Sequence, residues 1–210
     1  MELKVLRLAA NLYWLQTTEG RLLIDTGLPR NRHPQKLLQL LEGSEPDAIF
    51  LTHHHTDHSG GVVALLQKRW VPVYAHPREF PYLTKQVPRP AMPVPGLGSL
   101  IANACPPIPI EALRPVQEGD RILGLEVVHL FGHTLGLCGL LGDGVLFAGD
   151  AVRVNEKGPF FPNPRVNEDS GETLRSLVKI GALGATQVYP GHGPPTSSAA
   201  VAELVRKLGS

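Results

Sequence analysis

The sequence predicts an α/β protein: two mixed β-sheets packed face to face, with helices outside. Three observations carry this. Apolar runs of strand length alternate with helix-patterned runs along the 210 residues. The alternation occurs in two similar halves, echoed by Leu22-Leu23-Ile24-Asp25-Thr26-Gly27 and Val145-Leu146-Phe147-Ala148-Gly149-Asp150, each an apolar strand running into an Asp and a glycine-containing turn. Several strand-like runs end on Asp or His, where α/β folds gather ligands. No short-period repeat is visible.

Taken in order, residues 3–8 and 11–17 read as short strands, and Glu19-Gly20 turns the chain into a third from Arg21 to Asp25, an antiparallel meander. A helix is predicted from about Pro34 to Glu42, with Leu37, Leu38 and Leu41 on one face. Asp47 to Thr52 has the length and branching of a buried strand. Gly60-Gly61 permits close backbone approach, and Val62 opens a helix with Ser59 as its cap. A strand at Val71 to Ala75 follows. The second half predicts strands at 121–130, 136–141 and 144–149, a helix from about Gly171 to Leu183, a strand at Thr186 to Tyr189 and a helix near Ala199 to Leu208.

One stretch breaks the alternation: ten of the twenty prolines lie between Pro77 and Pro115. Proline opposes both helix interior and sheet, so about 77–115 is expected to be an irregular insertion in a single domain spanning 1–210. It is also apolar, with Met92, Val94, Leu97, Leu100, Ile101, Ile108 and Ile110. Two readings stand: a wall or lid over a cleft, or a segment packed on the domain or against a second copy in a homodimer.

Composition narrows the classes. With 42% hydrophobic residues the chain can bury a sizeable core, and a net charge of +1 supplies no bulk attraction for nucleic acid or anionic membrane. Met1 to Arg7 carries charges inside its apolar pattern, and no apolar stretch reaches spanning length. The expectation is a soluble, cytoplasmic protein acting on a small molecule. Cys105 and Cys138 are too few for a disulfide framework and read as ordinary thiols.

The chemistry concentrates in His53-His54-His55-Thr56-Asp57-His58. In an extended loop His53 and His55, two apart, point to one side and can share one cation, leaving Asp57 and His58 for a second. Imidazole and carboxylate suit zinc, iron or manganese, and the lack of cysteine argues for an open, reactive site over a closed structural one. The competing reading is a polar turn, or a helix on which His54 and His58 share a face. Three later turns each place a candidate ligand after an apolar strand and beside glycine: His133, Asp150 and His192. His33, His54, His76 and His129 lack that context and read as surface, core or supporting residues.

These motifs, in this order, resemble the metallo-beta-lactamase superfamily of metal-dependent hydrolases, its glyoxalase II-like and lactonase-like members included, over nearly the whole chain. The resemblance implies an αββα sandwich and two Zn²⁺ ions, with Fe or Mn as substitutes. It implies that His53, His55 and His133 hold one ion, that Asp57, His58 and His192 hold the other, that Asp150 bridges them, and that Asp25 supports the site from beneath. Asp25 also reads as a turn-capping side chain. Two dications bring about +4, two carboxylates return about −2, and a bridging hydroxide leaves about +1, which favours developing negative charge. That hydroxide is the expected nucleophile on a small ester, thioester or lactone, with Asp57 and Asp150 fixing it.

Departures from subfamily patterns narrow the substrate. Position 150 is Asp where the best-known beta-lactamases have Cys, which argues against penicillin as the main substrate. Eighteen residues follow His192, where glutathione-thioester hydrolases carry a helical glutathione-binding domain, so a smaller thioester or a lactone is expected. RNA cleavage ranks low, because the clamp arm and extra nuclease domain of RNA-processing relatives have no counterpart. Substrate contacts are expected from Val152 to Asp169, with Phe160 and Phe161 as an apolar wall and Arg153, Lys157 or Arg165 facing a carboxylate. The alternatives are an iron-dependent persulfide dioxygenase using His53, His133 and Asp150, a metal-dependent phosphodiesterase or nuclease, and a non-enzymatic metal-binding protein.

Overall fold

Charged and apolar residues interleave from Glu2 onward, and this opens a meander of three antiparallel strands: β1 (Glu2–Arg7), β2 (Asn11–Gln16) and β3 (Arg21–Ile24). The computed structural model describes residues 1–29, 32–90, 100 and 102–209, so Met92, Val94, Leu97 and Ile101 of the insertion lie outside the described residues. The chain forms two compact units, Met1–Val116 and Gln117–Ser210.

In the first unit, α1 (His33–Leu40) returns the chain so that β4 (Ala48–Phe50) pairs parallel to β3. As predicted, Leu37 and Leu41 are fully buried and Leu38 packs beside them. A one-turn helix, α2 (Thr56–Ser59), then leads into α3 (Val62–Lys68) and β5 (Val73–Ala75), parallel to β4. The expected cap of α3 is corrected. Gly61 occupies the cap position without a side-chain bond, while Ser59 ends α2 and turns its hydroxyl back to the carbonyls of His54 and His55. The predicted close approach at Gly60-Gly61 holds, since a Cβ would lie 2.4 Å from Pro29 at one and 2.3 Å from the Thr26 carbonyl oxygen at the other.

The Pro-rich stretch is less irregular than expected. It holds α4 (Phe80–Leu83), with Pro81 in the first turn where a missing N–H costs nothing, and β6 (Leu113–Pro115), at the sheet edge where proline is tolerated. Leu83, Ala102, Cys105 and Ile108 are buried, and Leu83 and Ile108 join the core of their own unit. The sheet runs β1-β2-β3-β4-β5-β6.

In the second unit the expected strand at 121–130 is a hairpin, β7 (Arg121–Ile122) and β8 (Leu125–His129), because Leu123 and Gly124 turn it with φ of 46° and 85°. β9 (Cys138–Gly142) and β10 (Val145–Gly149) follow, joined by Asp143-Gly144 with φ of 51° and 74°. A third hairpin, β11 (Arg153–Asn155) and β12 (Gly158–Phe160), lies in the stretch from Val152 to Asp169 that is expected to supply substrate contacts. α5 (Ser170–Ala182), capped by Asp169, β13 (Gln187–Pro190), parallel to β10, and α6 (Ser198–Leu208), capped by Ser197, complete the unit. The five-stranded sheet runs β13-β10-β9-β8-β7, with Leu146, Leu177, Ile180 and Val188 fully buried in one core. Each such side chain contributes about 1.5–3 kcal/mol through burial. Among the described residues no helix is long and apolar enough to cross a membrane, and both cysteines are buried thiols outside any disulfide.

Candidate metal centre

In the first unit the parallel pair β3 and β4 ends at one level, so the turns after them meet: the Asp25 N–H donates to the Phe50 carbonyl at 2.9 Å. Asp25 takes φ of 59° and is buried. Its carboxylate accepts from the Thr52 N–H at 2.9 Å, from the Thr52 hydroxyl at 2.9 Å and from His58 Nδ1 at 2.7 Å. A buried carboxylate needs such donors to offset lost hydration. Because Thr52 Oγ1 donates to Asp25, it accepts from His53 Nδ1, 3.0 Å away. Both rings therefore spend Nδ1 on a fixed oxygen, which selects Nε2 as the nitrogen able to bind a metal.

The imidazoles of His53 and His55 come together as the spacing predicts, 4.6 Å between ring centroids, and that of His58 lies closer still to His53, at 4.2 Å. His55 is extended, with ψ of 150°, and caps α2, on which Asp57 and His58 lie. Asp57 Oδ2 is 3.8 Å from His58 Nε2. Thr26 anchors the turn from below by accepting the Gly61 N–H and donating its hydroxyl to the His58 carbonyl. The His54 ring lies edge-on to that of His55, 4.9 Å between centroids, but helix α2 starts only after it, so His54 and His58 share no helical face. The His54 Nδ1 meets Glu79 instead.

In the second unit β10 and β13 run parallel, and the Gly191 N–H donates to the Gly149 carbonyl at 2.7 Å, which sets Asp150 beside His192. Asp150 Oδ2 lies 3.6 Å from His192 Nε2 and 3.5 Å from His133 Nε2. His133 repeats the pattern of the first unit: its Nδ1 is 3.2 Å from Asn167 Oδ1, an acceptor. The turn is fixed by Gly132, at φ of 129°, where a Cβ would lie 2.2 Å from the Thr173 nitrogen. Asp169 and Glu168 donate their N–H groups to Gly132 and His133.

Of the expected substrate contacts, Arg153 reaches Asp150 Oδ2 with Nη2 at 3.2 Å. Phe160 is exposed, Phe161 packs partly against its unit's core, and Lys157 and Arg165 are exposed. Three supporting residues escape sequence reading. Thr52 adjoins the His run and only its hydroxyl hints at a role, Asn167 lies 34 residues from His133, and Glu79 lies 25 from His54. His33, His76 and His129 stand apart from both ligand groups in their own settings: His33 opens α1, His76 caps a short turn through Nδ1, and His129 ends β8.

The donor set suits divalent metal, since buried imidazoles with oxygen-bound Nδ1 and acidic neighbours are the arrangement metal ligands adopt. The family model described as "Metallo-beta-lactamase superfamily" matches residues 5–192. The chain belongs to the metallo-beta-lactamase superfamily. Its α/β architecture of mixed sheets and helices is that superfamily's fold. The structure of TTHA1623 in a di-iron-bound form is 31% identical and superposes with a TM-score of 0.73 over 97% of this chain and 98% of the other. BLEG-1, a B3 metallo-beta-lactamase, superposes at 0.76 with 26% identity, covering 100% of both chains. Among sequence relatives, the hydroxyacylglutathione hydrolase of Alkalilimnicola ehrlichii is 35% identical over 186 residues, 88% of this chain and 62% of that protein. The chain thus spans less than two thirds of that relative's length. The probable metallo-hydrolase YflN of Bacillus subtilis is 28% identical over 96% of this chain and 88% of its own length.

Proposed function

We propose that this chain is a binuclear, zinc-loaded hydrolase that cleaves a small ester, thioester or lactone. One observation carries the reading: His53, His58 and His133, three of the seven expected ligands, each tie Nδ1 to a positioned oxygen and so offer Nε2 to a metal. In this reading His53, His55 and His133 hold one ion, Asp57, His58 and His192 the other, and Asp150 serves both. The two units act as one hydrolase domain, which is supported by a family match running across both. Imidazole and carboxylate donors suit zinc, with iron or manganese able to replace it.

When bound, such a pair of ions makes hydroxide available near neutral pH and stabilises negative charge on a carbonyl oxygen. The chain's own residues do the rest. Asp57 and Asp150 accept hydrogen bonds that orient the attacking oxygen, while Asp25 and Thr52 hold the His58 and His53 tautomers. Arg153, which bonds Asp150 in the structure, and Arg165 are the cations offered to a substrate carboxylate, and Phe160 and Phe161 supply apolar contact. The relatives named hydroxyacylglutathione hydrolase favour a thioester. The di-iron-bound TTHA1623 supports two metals and favours iron as the replacement for zinc.

Elemental analysis of the purified protein, followed by a panel of thioesters, lactones, phosphodiesters and beta-lactams, tests this. Two zinc ions per chain with thioester or lactone turnover is the expected result. Undiminished hydrolysis by metal-stripped protein would overturn it, and a single iron per chain with oxygen uptake on a persulfide would replace it with a dioxygenase.

A further inference from the structure

The Pro-rich stretch closes on one peptide of the histidine run. His54 sits between two expected ligands, yet its Nδ1 meets Glu79 Oε2, and the same oxygen accepts the His54 N–H at 2.8 Å. Tyr82 stacks on its ring, 4.3 Å between centroids and 21° between planes. On the other side of the residue, the His54 carbonyl accepts from Ser59 Oγ at 2.9 Å, and Arg89 Nη2 donates to that Oγ at 3.1 Å. Arg89 is 5% exposed, and its backbone is locked to Asn103 by two bonds, 2.9 and 3.3 Å long. Glu79, Tyr82, Arg89 and Asn103 all come from the Pro-rich stretch.

Packing alone does not call for this arrangement. Burying a carboxylate and a guanidinium carries a desolvation penalty, and apolar side chains of similar volume generally serve stability as well or better. Here both charged groups are aimed at a single residue whose N–H, ring and carbonyl they restrain. The restrained residue separates His53 from His55, so fixing it fixes the spacing of two imidazoles. Supporting contacts of this kind preserve ligand geometry at metal sites.

We infer that the Pro-rich segment is a positioning device for the first pair of ligands, in which Glu79 directly and Arg89 through Ser59 hold the His54 peptide. This rests on the metal-binding reading above. The test measures zinc affinity by chelator competition, together with the visible spectrum of the Co²⁺-substituted protein, in wild type, Glu79→Leu, Glu79→Gln and Arg89→Met. Glu79→Leu weakens zinc binding about 10–100-fold and shifts the Co²⁺ bands, while Glu79→Gln, which keeps an acceptor oxygen, recovers most of the loss. Arg89→Met weakens binding by about tenfold. Folded Glu79→Leu and Arg89→Met proteins with wild-type zinc affinity and unshifted Co²⁺ bands overturn the inference. If Glu79→Leu does not fold, Arg89→Met decides alone by the same measure. A wild-type protein that binds no zinc refutes the functional reading instead, before any variant is compared.

Discussion

The candidate ligands of the two units are held by different means. In the first, Asp25 and Thr52 are buried, lie on adjoining strand ends and tie His53 and His58 into one hydrogen-bonded set beneath the turn. In the second, Asn167 and Arg153, both only partly buried, touch His133 and Asp150 from the segment between β10 and α5. The first set is buried with the core, so the placement of these rings and the fold share one support. The second is braced by side chains that are themselves partly exposed.

Substitutions can break that contrast. The largest effect is common to both units: His55→Ala and Asp150→Ala each reduce turnover on the order of a thousandfold, the scale of losing a main electrostatic stabiliser. Steady-state kinetics with metal analysis checks this. Next, Asp25→Ala leaves the buried Thr52 N–H and His58 Nδ1 without their acceptor. Each buried group left unsatisfied costs about 1–3 kcal/mol in unfolding free energy, read by urea denaturation, together with weaker metal binding. Asn167→Ala should separate the two properties, lowering zinc affinity about tenfold while the urea midpoint stays at the wild-type value. A large stability loss in Asn167→Ala, or none in Asp25→Ala, would erase the distinction.

The smallest effect concerns the first unit away from its ligands. The Arg21 side chain and N–H hold the Asp47 carboxyl down to about 2 against burial, with Arg69 assisting. Because the folded value lies below the ordinary 3.8, the pair stabilises the fold above about pH 4 and loses that contribution as the pH falls through 2. The side chain is 36% exposed, so screening keeps the contribution under about 1 kcal/mol. Urea midpoints of wild type and Asp47→Asn should differ slightly at pH 6 and converge near pH 2.

Much of this was readable from residue order. The alternation of apolar runs marks most of the strands, and Leu37, Leu38 and Leu41 mark the buried face of α1. The dipeptide Gly60-Gly61 announces a close approach, and the histidine spacing announces a gathered set of rings. What escaped depends on contacts between distant residues. Nothing local says that Asn167 accepts from His133, or that Glu79 and Arg89 reach the histidine run. Proline count misled for a physical reason: it forbids helix interiors and central strands, whereas Pro81 and Pro115 occupy a first turn and an edge. The hairpin turn at Leu123-Gly124 was hidden because leucine seldom takes positive φ.

That edge proline has a consequence for how copies of the molecule meet. The outermost strand, β6, is three residues long, with Arg114 and Pro115 exposed and Pro115 bringing no amide hydrogen. At the opposite margin, β1 presents Glu2, Lys4 and Arg7, and the Lys4 ammonium lies 4.4 Å from the centre of the Trp14 ring. Short length, fixed charge and a missing donor all discourage an incoming chain from extending a sheet. The six-stranded layer is therefore guarded at both margins against the strand-by-strand growth that leads to aggregation.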